Sequence, residues 1–289
     1  MTDLPDPSNL PDSSDRPEPL DMPGPSDVPT GATLSRRSTD ILESAEPPAH
    51  TAGSGGAADE PVPRRSVVAR FVQILATLAV FAALLFGVAG TWDWPEAWLL
   101  IGLYASCTLV AAVAFAPQHQ AVIAARAHSK FSEAPRWDRY IAVAWSLLSV
   151  AVPAVGALEY RWQGPGTLPP ALTAIGAAGF VAAYALTLWS MAANPFFETV
   201  VRIQHERGHV TVTGGPYAII RHPGYVGAVG VVLTMPLILR TPWALAPALL
   251  GGAVIIARTA LEDRFLQARL EGYADYARRV RYRLVPGLW

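Results

Sequence analysis

The run from Ala171 to Ala193 contains no charged residue, and a segment of that length and polarity has few ways to fold. About 20 apolar residues cross a hydrocarbon core about 30 Å thick, and a helix satisfies every backbone group while doing so. Three similar runs precede it: Val67 to Gly90, Ala97 to Ala116 and Tyr140 to Leu158. Trp92 and Trp94 lie between the first two, where interfacial aromatic residues belong. A shorter pair, Gly224 to Leu239 and Trp243 to Ala257, is separated by Arg240-Thr241-Pro242 and reads as a helical hairpin. The expected fold is therefore an all-α, polytopic integral membrane protein of about six transmembrane helices, with the lipid bilayer as its first partner.

Charge divides the chain more sharply than its net value of −1 suggests. Residues 1–65 carry a net charge of −7 and the remainder +6. An acidic tail on a basic membrane body argues against nucleic acid as the partner. The tail is rich in Pro, Asp, Ser and Gly, so it buries too little apolar surface to offset its ordering entropy and is expected to be disordered. Its acidic start and lack of an apolar stretch do not fit a signal peptide. Arg64, Arg65 and Arg70 precede the first run, and Arg126, Lys130, Arg136 and Arg139 occupy the polar loop from Pro117. Glu159 to Pro170 holds only Arg161. Basic loops stay inside, so both termini and the polar insert after Ala193 are expected at the cytoplasmic face of the cell membrane. Three regions follow: the tail (1–65), a four-helix transmembrane region (66–193) and a region that mixes polar motifs with the last two apolar runs (194–289).

The insert, Asn194 to Gly227, holds three of the six histidines. Pro216 follows Gly214-Gly215 and Pro223 follows His222. Proline suits the first position of a helix and pushes its predecessor out of helical geometry. A short helix is expected from Pro216, a break at His222 and a long helix from Pro223. Two such starts would aim free N–H groups at one small volume, suited to an anionic ligand; a plain re-entry loop is the alternative. Gly224, Gly227 and Gly230 recur at helical spacing and mark a close helix contact. They are not a dinucleotide fingerprint, because no strand precedes them. From Arg258 to Arg279 the chain turns charged but stays helix-friendly. It reads as a C-terminal amphipathic helix on which Arg258 and Glu262 share a face. No Cys/His cluster has metal-ligand spacing, so no metal is expected.

Gly-His-Val-Thr-Val-Thr-Gly-Gly-Pro-Tyr (208–217), Arg-His-Pro-Gly-Tyr-Val-Gly (221–227) and Arg-Thr-Ala-Leu-Glu-Asp-Arg-Phe-Leu (258–266) together resemble the isoprenylcysteine carboxyl methyltransferase family, which is related to membrane phospholipid methyltransferases. The resemblance covers about residues 194–289 and implies an S-adenosylmethionine (SAM)-dependent methyltransferase with its cofactor site at the cytoplasmic face. It implies cofactor contacts at Gln204, His209, Val210, Thr211, Val212, Tyr217, His222, Pro223, Gly224, Tyr225 and Glu262. Arg258 matches the arginine at the substrate end, and Arg221 joins it as a candidate catalytic residue. The family's acidic pair is usually Glu-Glu; here it is Glu262-Asp263.

The residue chemistry is compatible with that family. A glutamate can hold an amino group or ribose hydroxyls, and aromatic faces tolerate a sulfonium. Methyl transfer is an in-line displacement in which positioning does much of the work. A carboxylate acceptor needs no base, and an arginine would orient it. An amine acceptor would need a proton acceptor, for which His222 and Glu262 are candidates. The leading expectation is methyl-esterification of a lipophilic carboxylate. The alternatives are phospholipid N-methylation, a non-catalytic membrane scaffold and a nicotinamide-dependent membrane reductase.

Overall fold

A computed structural model of the protein describes residues 64–115 and 133–289, and every regular element in them is helical. The acidic tail and the basic loop positions Arg126 and Lys130 lie outside the described residues. The helices are α1 (Arg64–Ala89), α2 (Pro95–Phe115), α3 (Arg136–Gln163), α4 (Ala171–Ala193), α5 (Pro223–Leu239), α6 (Leu245–Arg269) and α7 (Tyr273–Arg279). Short 3-10 turns occupy His205–Arg207, Gly215–Ala218 and Pro242–Ala244.

Among the described residues five helices are long and apolar enough to cross a membrane: α1 to α4, and α6 with the turn before it. The sixth expected crossing, α5, has 17 residues. At 1.5 Å per residue that is about 25 Å, slightly less than the hydrocarbon core. The outward faces carry Leu109, Val110, Leu147, Val150, Ile175, Leu249 and Ile256, all exposed, as lipid-facing helices require. The bundle core is built from Leu85, Phe86, Trp94, Leu100, Val152, Phe180, Val232, Ile238 and Leu239.

The expected glycine contact is present between α4 and α5. A Cβ on Gly227 would lie 2.2 Å from Thr187 Oγ1 and 2.7 Å from the Ala183 carbonyl, and one on Gly230 would meet the Ala183 Cβ at 2.7 Å. Farther along, Gly176 faces Ile238 and Gly179 faces Thr234. Small residues on both helices thus let the two backbones approach closely along an antiparallel seam.

One expectation changes. The charged segment after Ala257 is not a separate amphipathic helix: α6 runs unbroken to Arg269, because nothing from Arg258 to Arg269 breaks a helix. Its 25 residues span about 37 Å, about 7 Å more than the hydrocarbon core, so the end of the helix projects beyond the hydrocarbon. The break comes at Gly272, whose φ of 75° is left-handed, and α7 follows it.

Candidate functional site

The chain leaves α4 at Asn194, whose side-chain oxygen accepts the Phe196 N–H at 2.9 Å and turns the backbone sharply. Asn194 Nδ2 also reaches the Tyr217 hydroxyl at 3.3 Å, tying the start of the insert to its second half. Pro216 and Pro223 open their elements as expected, with His222 in a non-helical conformation just before α5. Beneath lies a small aromatic core of Tyr217, Leu270, Tyr273 and Tyr276, in which the Tyr276 hydroxyl donates to the Tyr217 carbonyl at 2.7 Å.

Above this core is a solvent-open cleft. Its walls include His209, Val210, Val212, Tyr217, Arg221, His222, Gly224, Tyr225 and Glu262, so most of the positions singled out by the sequence motifs meet there. Phe196, Phe197, Glu198, Arg202, Leu266, Tyr273 and Tyr276 also line it. His222 stacks on Tyr225, with ring centroids 5.7 Å apart and planes at 10°, and the Tyr225 hydroxyl donates to Glu262.

Four singled-out positions stand outside the lining. Gln204 is buried behind His209: its Nε2 donates to the Phe196 carbonyl at 2.7 Å, and its Oε1 accepts from Arg207. Its backbone N–H donates to His209 Nδ1 at 3.3 Å, which leaves the His209 proton on Nε2. Thr211 donates to the Glu271 carbonyl at 2.8 Å. Pro223 is buried in the first turn of α5. Arg258 is buried behind Tyr225: Nε donates to Asp138 Oδ1 at 2.8 Å, Nη2 to the Thr199 carbonyl at 2.7 Å, and the guanidinium lies over the Tyr225 ring at 5.4 Å.

Just before α5, the N–H groups of Arg221 and His222 donate to the carbonyls of Tyr282 and Arg283, each at 3.0 Å. A segment following α7 therefore occupies these two amides.

Electrostatically, the arginines of the cleft are already matched. Arg202 grips Glu198 through two parallel bonds of 2.8 Å and also reaches Glu206 at 2.6 Å. Arg221 pairs with the buried Asp263 through Nε at 2.8 Å and Nη2 at 2.9 Å. Burial, aided by the charges of Arg202 and Arg207, lowers His209 from 6.5 to about 4, so its ring is neutral at neutral pH. Burial pushes the Tyr217 and Tyr276 phenols up, and burial together with the Asp263 charge does so for Tyr273.

Sequence motifs missed Asp138, which sits in the first turn of α3 and clamps both Arg258 and the Val201 N–H, the latter at 2.7 Å. They also missed the pair Tyr273 and Tyr276, whose signal was two tyrosines three residues apart just after Gly272. Among the described residues no group of three His, Cys, Asp or Glu side chains is placed to hold a metal ion.

Comparison with known proteins places this geometry. The chain is 37% identical over 124 residues to the cobalt-zinc-cadmium resistance protein CzcN of Cupriavidus metallidurans, a match covering 41% of this chain and 51% of that protein. The chain thus spans about half the length of the curated relative it matches. Residues 172–271, from α4 through the cleft motifs to the end of α6, match the phospholipid methyltransferase family. The resemblance carried by the motifs is therefore matched by a family model, and residues 172–271, about a third of the chain, are similar to the phospholipid methyltransferases.

Proposed function

We propose that the protein transfers a methyl group from SAM to a lipophilic acceptor in the cleft above Tyr217, Tyr273 and Tyr276. The observation that carries this is the convergence of Glu262 with the rings of Tyr217, His222 and Tyr225 on one cleft. These residues fit the cofactor. Glu262 offers a carboxylate for its amino group or ribose hydroxyls, and the aromatic faces suit a cationic sulfur. When bound, SAM supplies an electrophilic methyl group on sulfur. Tyr217, Phe196 and Phe197 give the cleft an aromatic wall, and Glu262, held by the Tyr225 hydroxyl, orients what binds there.

The pairing of the arginines favours an amine over a carboxylate acceptor. Arg202, Arg221 and Arg258 are bonded to Glu198, Asp263 and Asp138, respectively. Breaking a buried pair to seize a substrate carboxylate costs about 3–5 kcal/mol. We therefore place an amine headgroup, as in a phospholipid, ahead of the isoprenylcysteine-type carboxylate that the motif resemblance puts first. The carboxylate reading rests on Arg258, whose Nη1 is the nitrogen not engaged with Asp138 or Thr199.

The test is transfer of radiolabelled methyl from SAM into a lipid extract by purified protein. Base-stable label is the expected result. Base-labile label would identify an ester and restore the carboxylate reading. Absence of both label and SAM binding would remove the methyltransferase assignment for this chain.

A further inference from the structure

Five hydrogen-bond contacts and a further ion-pair contact, from Arg221 Nε, converge on the carboxylate of Asp263, which is fully buried. Arg221 approaches through Nε at 2.8 Å and Nη2 at 2.9 Å, and Arg283 through Nε at 2.9 Å. Gln267 donates at 2.8 Å and the Tyr273 hydroxyl at 3.1 Å. The sixth is His222 Nε2, 3.4 Å from Oδ1. A carboxylate held by two guanidinium groups accepts hydrogen bonds and does not donate them.

That decides the tautomer of His222. Its Nε2 lies 3.4 Å from both the Asp263 carboxylate and the Tyr273 oxygen, and the Tyr273 proton is committed to Asp263. The proton of a neutral His222 therefore sits on Nε2, and its lone pair is on Nδ1. His222 lines the cleft and Asp263 stands behind it. Glu262, the other candidate base, already accepts the Tyr225 hydroxyl proton.

We propose that His222 Nδ1 is the proton acceptor for an amine substrate, and that Asp263 and Tyr273 are positioning residues that fix its tautomer. This rests on the amine reading above. The substrate arrives as an ammonium ion and loses one N–H proton to Nδ1. The freed nitrogen lone pair forms the new N–C bond as the methyl–sulfur bond of the sulfonium donor breaks, its electron pair remaining on sulfur. Asp263 stabilises the resulting imidazolium through Nε2–H, and the ring returns its proton to solvent through the open cleft. The charged and titratable groups around the ring are Asp263 and Glu262 on α6, Tyr225 on α5, Tyr273 on α7, and Arg221 and Arg283 across Asp263.

Two measurements test it. In detergent-solubilised protein labelled with ¹⁵N-histidine, the His222 signals are assigned by their loss in His222→Gln. At neutral pH they should report a protonated Nε2 and a bare Nδ1; a proton on Nδ1 overturns the proposal. Tyr273→Phe keeps Asp263 and both its arginines, so the fold is retained. Its methyl transfer should show a lowered kcat, an unchanged KM for SAM and a displaced acidic limb of the pH–rate profile. His222→Gln should lower kcat by about 100-fold or more, the scale of general base catalysis. A Tyr273→Phe enzyme with the parent kcat and pH profile also overturns it. Base-labile product from the parent protein sinks the amine reading, and the proton-acceptor role with it, whatever the tautomer. Base-stable product with a proton on Nδ1 sinks this proposal alone.

Discussion

Arg258 Nε donates to Asp138 Oδ1 at 2.8 Å across 120 residues of sequence. The other oxygen of Asp138 holds the Val201 N–H, and Arg258 Nη2 holds the Thr199 carbonyl. One buried ion pair thereby fixes three things relative to each other: the start of α3, the cleft-lining loop at 199–201 and the projecting end of α6.

Breaking that pair from the acidic side should be severe. Asp138→Ala leaves a buried guanidinium uncompensated and is expected to cost about 3–5 kcal/mol, read as a fall in melting temperature in detergent. Arg258→Lys keeps the charge but cannot bond Asp138 and Thr199 with a rigid fork, and should lose about 1.5–3 kcal/mol. A lysine variant with the parent melting temperature but no methyl transfer would return the carboxylate acceptor to first place.

Glu262 is the cleft carboxylate not committed to an arginine by a hydrogen bond. Glu262→Gln should weaken SAM binding by about 1.5–3 kcal/mol, roughly tenfold to a hundredfold, measured by calorimetry. Because Glu262 is not buried, the fold should be unaffected. Equal affinity in parent and variant would move the cofactor away from α6.

Gly227 on the α4–α5 seam and Gly252 on α6 form a contrasting pair of glycine substitutions. Gly227→Ala sets a methyl 2.2 Å from Thr187 Oγ1 and 2.7 Å from backbone oxygen, and should destabilise by about 1–3 kcal/mol. At Gly252 the nearest atom is Val229 Cγ1 at 3.6 Å, an ordinary contact, so Gly252→Ala should be silent or slightly stabilising. Similar melting temperatures for the two variants would mean that the helices do not meet at Gly227.

His209 should make stability depend on pH. Its pKa falls from 6.5 to about 4 on folding, first through burial and then through Arg202 and Arg207. Between those values the unfolded chain binds more protons, so the contribution is complete above 6.5 and is lost as pH falls towards 4. Comparing melting temperatures across that window in the parent and in His209→Gln isolates it. A parent slope unchanged by the substitution would show that His209 is not the group responsible.

For orientation in the membrane, we propose from the basic loops that the cleft faces the cytoplasm. In a Cys107→Ser background, a cysteine at the exposed Trp162 should react with an impermeant thiol reagent on intact cells, and one at the exposed Glu206 should not. The reverse pattern would invert the topology.

Much of this structure could be read from local chemistry. Pro216 and Pro223 set the breaks in the insert, and the apolar run Ala171 to Ala193 coincides with α4 residue for residue. The Gly224, Gly227 and Gly230 spacing foretold a contact without naming its partner. What stayed hidden depends on residues far apart in sequence. Nothing in Arg258 and its neighbours points to Asp138, and the amides of Arg221 and His222 look free until the chain returns past them at Tyr282 and Arg283. The end of α6 was misjudged for another reason: charge marks where a helix leaves lipid but does not stop the helix.

The hydrogen bonds from Arg221 and His222 to Tyr282 and Arg283 also set an order of assembly. These carbonyls come after every spanning helix, so a nascent chain can place all its helices in the bilayer and still lack a finished cleft. The half-buried Arg283, through its bond to Asp263, is the last partner of that buried carboxylate to arrive. Until the chain has returned past α5, the amides of Arg221 and His222 and one side of the Asp263 carboxylate lack these partners, so the cleft wall beside His222 closes only after the spanning helices have been made.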